Sequence, residues 1–74
     1  MNDALDAVTE SARERLRRCP YPGIRLLACE FEHGVLRLCG QLTSYYQKQI
    51  AQEIVADLSG VDQVVNDVVV STLG

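Results

Sequence analysis

One histidine, one lysine and one phenylalanine occur in these 74 residues, and tryptophan is absent. A general base or metal ligand at His33 needs partners converging from elsewhere, and none is legible in the chain. Basic charge is in deficit as well: seven Lys and Arg stand against ten Asp and Glu, a formal charge of −3. That balance excludes a role resting on phosphate contacts to nucleic acid. No apolar run approaches the ~18 residues of a membrane span, and the N-terminal MNDALDAV carries acids where a secretory signal needs positive charge. A cytoplasmic location is expected. The three cysteines, Cys19, Cys29 and Cys39, cannot all pair with one another, and their ten-residue spacing fits no zinc or thioredoxin-like pattern. Reduced thiols, no metal and no cofactor follow.

With 47% hydrophobic and 23% charged residues, the chain reads as one small globular domain over 1–74. A domain of this size buries only ~60–65% of its unfolded surface, too little for a deep substrate pocket. The reading is a binding module and not an enzyme, with no catalytic residues.

From Asp3 to Arg18, the spacing of Leu5, Val8, Ala12 and Leu16 predicts a helix, capped at Asn2 or Asp3 and halted by Pro20. The Cys-Pro-Tyr-Pro-Gly segment after it reads as a rigid connector. Two apolar runs between Ile24 and Leu42 then flank His33-Gly34, a dipeptide suited to a tight hairpin turn. With those two residues at the turn, cross-strand partners sum to 67. Phe31 faces Leu36, Cys29 faces Leu38, Leu27 faces Gly40, and Glu30 is expected to pair with Arg37. A second helix from Ser44 to Ser59 opens on the capping-box spacing of Ser44 and Gln47 and carries Ile50, Ala51, Ile54, Val55 and Leu58 as its stripe. Gly60 is expected to end it in the left-handed region. The β-branched run from Val64 to Ser71 predicts a last strand, with Val64, Val68 and Val70 on one face and Val65 and Val69 on the other.

The order α-β-β-α-β and the right-handed crossover rule predict a two-layer α+β sandwich. A three-stranded mixed sheet should carry both helices on one face, with the last strand parallel to the second.

Within that frame the residues resemble the BON domain, a small bacterial module named for osmotically induced and nodulation proteins. The resemblance rests on Gly34-Val-Leu-Arg-Leu-Cys-Gly40-Gln-Leu42, followed after an alanine-containing helix by Gly60-Val61-Asp-Gln-Val64-Val65-Asn66-Asp-Val68-Val-Val70. It covers Ile24 to Val70 well and the first helix loosely. It implies a non-catalytic binding module of a family usually associated with phospholipid or membrane interaction.

Most candidate residues have structural duties that suffice. His33 suits a positive φ, Glu30 and Glu32 suit a solvated strand ladder, and Cys29 suits the core while Cys39 points away from it. Cys19, at a helix end, is expected near the surface. Gly34, Gly40 and Gly60 answer to a turn, a position opposite Leu27 that a helix is expected to approach closely, and a helix stop, and Asn66 should bond backbone at the start of the last strand. Arg13, Arg15, Arg17 and Arg18 form the best candidate for an anionic headgroup, although Glu10 and Glu14 lie at helical spacing to neutralise them.

The outer sheet face is harder to explain by structure alone. Leu26, Ala28, Val35, Cys39, Val65 and Val69 would share it with Glu30, Glu32, Arg37, Gln41 and Asp67. A face turned to water should be mainly polar, so a partner is expected to cover these apolar members. The leading expectation is association with protein, as a homodimer or with another domain. The runner-up is peripheral binding to anionic phospholipid through the arginine-rich helix end.

Overall fold

A computed structural model describes residues 3–71, with side chains from Ala7 onward. The expected cap at Asn2 and the side chain of Leu5 lie outside the described residues. Helix α1 spans Asp3–Arg17, and its apolar spacing delivers Ala12 and Leu16 to the core at 0% and 1% exposure. The connector after it contains a helical turn that the sequence reading missed, α2 at Pro22–Arg25. Pro22 presets the helical φ, the Tyr21 carbonyl accepts from the Ile24 and Arg25 amides at 3.1 and 3.3 Å, and the turn buries Ile24 completely.

Because α2 absorbs Ile24 and Arg25, strand β1 begins only at Ala28 and runs to Glu32. Strand β2 follows at Val35–Cys39, and the register from Ala28↔Cys39 to Glu32↔Val35 sums to 67 throughout. His33 and Gly34 both take positive φ, 52° and 79°, as a right-twisted two-residue hairpin turn requires. After Gly40, at φ 143°, the chain resumes as β3 at Gln41–Leu42. Gly40 is not approached by a helix. A Cβ there would stand 2.6 Å from Leu27 Cδ2, so the leucine beside it requires the glycine.

Helix α3 spans Tyr45–Val55, and the Ser44 hydroxyl accepts from the Gln47 amide at 3.1 Å. It ends well before Ser59, which corrects the expected boundary. The Ala56 amide bonds Glu53 and the Leu58 amide bonds Val55, three residues back, so tighter turns replace the helix and carry Leu58 into the core. Gly60 has positive φ, 91°, within the turn beyond, and does not cap the helix.

The expected last strand is two, β4 at Gln63–Asn66 and β5 at Val69–Val70. β4 is parallel to β2 and β5 is parallel to β3, which gives a three-stranded sheet in the order β1-β2-β4 and a two-stranded continuation. The break at Asp67 and Val68 answers the break at Gly40 on the neighbouring strand. Leu36, Leu38 and Cys29 face α1 and α3 across one core with Ala51 and Val55, while among the described residues no helix covers the other side of the sheet. The fold is α+β with a mixed sheet, as the element order implies.

Candidate binding surface

The uncovered face is built in rows across three strands. One row sets Glu30 beside Arg37 and Val65, the next sets Glu32 beside Val35 and Gln63, and Ala28 stands beside Cys39. Val35, Cys39 and Val65 are half-buried among these neighbours, and Ala28 is exposed. Val69, on β5, is 61% exposed. Near the hairpin, Glu30, Glu32, His33, Val35 and Arg37 line a shallow depression of about 260 Å³. The surface therefore alternates apolar and charged groups.

Two expectations about this face are corrected. Leu26 is not on the sheet: it follows α2 as its C-cap residue and stands 85% exposed beside the strand entry. Arg37 does not pair with Glu30, although the register places them opposite. Its Nε lies 3.2 Å from Asp67 Oδ2, because the parallel neighbour on the far side brings that carboxylate within reach.

The arginines of α1 are already engaged. Arg13 meets Glu10 at 3.5 Å, and Arg17 and Arg18 both meet Glu14, at 4.0 and 3.1 Å. Arg15 has a different task that its sequence position did not disclose. Its guanidinium bridges to Asp57 and donates to the Ile54 carbonyl at 3.2 Å, tying α1 to the end of α3.

Asn66 bonds backbone, but at the end of β4 and not at its start. Its Nδ2 donates to the Lys48 carbonyl at 2.9 Å and to Gln52 Oε1 at 3.3 Å, and its Oδ1 accepts from the Val68 amide at 3.3 Å. One side chain thus fastens α3 to the sheet and closes the turn between β4 and β5. Cys19 is buried and not near the surface, in the core beside α2. Cys29 is buried too, and burial pushes its thiol pKa up, with Arg13 partly opposing. All three thiols are free.

Tyr45 and Tyr46, at the start of α3, are 72% and 65% exposed and were passed over in the sequence. Two adjacent tyrosines immediately after a serine cap cannot both face the core, and that signal was available. Tyr46 meets Tyr21 edge to face at 6.5 Å between ring centres, and the proximity of the two phenols raises the Tyr21 pKa.

The family model for the BON domain matches residues 5–72. The chain belongs to the BON domain family. BON domains are binding modules, generally non-catalytic. A comparison with curated proteins gives no match. Among the described residues there is no group of three or more His, Cys, Asp and Glu side chains able to hold a metal ion, and no helix is long and apolar enough to cross a membrane.

Proposed function

We propose that this BON domain is an assembly module that docks onto protein through the uncovered sheet face, with a second copy or another domain as the partner. The observation that carries this reading is the face itself. Three strands present Ala28, Val35, Cys39 and Val65 on one side with no element of the described residues packed over them, and Val69 extends the surface along β5. A sheet covered on one side is stable with a polar outer face, so apolar groups held there serve a contact.

The family's association with phospholipid suggests the alternative, peripheral attachment to an anionic membrane through Arg13, Arg15, Arg17 and Arg18. That reading has less support here, because each of these guanidiniums has a carboxylate partner within the chain.

Sedimentation over a range of concentrations, alone and with candidate partner domains, tests the protein reading. Val35→Lys and Val69→Lys should abolish association without unfolding the chain. Flotation with vesicles containing acidic lipid tests the alternative. Salt-sensitive binding that is lost on charge reversal of Arg13, Arg17 and Arg18 would establish the membrane reading and overturn ours.

A further inference from the structure

The uncovered face is polarised in a way that bears on what can cover it. Glu30 and Glu32 alternate along β1, so both carboxylates stand on that face, ~6.6 Å apart along the strand. Neither enters an ion pair among the described residues. Arg37, the only Lys or Arg on the face, is held by Asp67 at 3.2 Å. Every other basic side chain sits on or beside a helix, Arg13 to Arg18 along α1, Arg25 in α2 and Lys48 in α3. The two free carboxylates also wall a concavity, the depression of about 260 Å³ whose apolar side is Val35. Away from the hairpin the face turns apolar, through Ala28, Cys39 and Val69.

A second copy does not complement this pattern. With a two-fold axis along the strands, β1 lies over β4 of the other copy, and its carboxylates meet Gln63 and Val65. With the axis across the strands, β1 lies over β1 and the carboxylates approach their own equivalents. Both arrangements take carboxylates out of water with no cation to receive them.

We infer that the face takes a different protein, one presenting an extended segment in which two basic residues at i and i+2 are followed by an apolar residue at i+4. The inference rests on the protein-association reading and names the partner's chemistry. Laid along β1, such a segment has the same two-residue repeat as the strand beneath it, so its basic side chains meet Glu32 and Glu30 while its apolar residue meets Ala28 and Cys39. Val35 packs against the stem of the first basic side chain, and apolar residues further along the segment lie toward Val69.

The probe is the blocked heptapeptide Arg-Thr-Arg-Thr-Val-Thr-Val, titrated into the chain and followed by backbone amide shifts, with sedimentation velocity on the chain alone. The chain alone should remain monomeric, and the peptide should move amides of β1 and β2. Glu32→Gln should weaken the peptide's Kd about tenfold, and Val35→Lys at least as much. Glu53→Gln removes the same charge from α3 and should leave the Kd unchanged. Equal weakening by Glu32→Gln and Glu53→Gln, or shifts lying off the sheet, reduces the binding to net charge and overturns the inference. A monomer that gives no shift with the peptide overturns it too. A parent dimer broken by Val35→Lys also overturns it, since a second copy then covers the face, but leaves the protein-association reading standing.

Discussion

Strand β2 presents two environments within five residues. Leu36 and Leu38 point into the helices and are fully buried, while Val35, Arg37 and Cys39 point the other way and retain contact with water. The period-2 geometry of a strand assigns residues to these sides, but the helices decide what each side costs to alter. On the inner side a lost methyl group leaves a void that packed neighbours cannot fill. On the outer side the same change meets solvent, so apolar residues there are free to serve a partner.

The largest effect should come from the inner side. Leu38→Ala removes a fully buried side chain and is expected to cost ~2–5 kcal/mol, measurable as a lower urea midpoint with unchanged slope. If it cost less than the outer-face substitutions, the contrast between the two sides would collapse.

Next are the residues that hold the sheet in shape. Gly34→Ala forces a side chain into a positive φ of 79° and against the Asp62 carboxylate, and should cost about 1–3 kcal/mol in the same assay. Asn66→Ala removes the bond to the Lys48 carbonyl and uncovers the Val68 amide. A loss of about 1–3 kcal/mol is expected, with hydrogen exchange accelerating first at Val68 and in the first turns of α3.

The thiols sharpen the comparison by pH. Cys29, facing α1 and donating to the Thr9 carbonyl at 3.9 Å, has a pKa raised mainly by burial. As pH rises through the ordinary thiol range near ~8.5, the unfolded chain ionises first while the folded thiol keeps its proton. Stability should therefore fall with rising pH, and the difference between the parent and Cys29→Ala isolates the part due to this group. Cys39, across the sheet, should react with a thiol reagent long before Cys29 does. Equal rates would mean that the two faces are equally open.

The smallest effect on stability belongs to the outer face. Val69→Lys should lie within about 0.5 kcal/mol of the parent in unfolding, while the same substitution removes protein association in sedimentation. A large destabilisation with unchanged association would show that Val69 serves the fold.

Much of this architecture was legible in the chain itself because it depends on local periodicity. The spacing of Val8, Ala12 and Leu16 specifies a helix. His33-Gly34 specifies a turn that only residues tolerant of positive φ can make, and from that turn the whole β1–β2 register follows. Ser44 and Gln47 announce the start of α3 for the same local reason. The resemblance to BON domains rested on such signals together.

What tertiary structure decided is where those patterns stop and which distant groups meet. Pro22 to Arg25 became helix because Ile24 had a core to enter, and this removed Leu26 from the sheet. The last strand broke in two because its neighbour bends at Gly40. Arg37 chose Asp67 over Glu30, Arg15 found Asp57, and Asn66 reached Lys48, all across separations that no short spacing encodes. Local geometry is set by each residue's own backbone and side-chain preferences, whereas these contacts depend on how whole elements pack, and packing is a property of the assembled core.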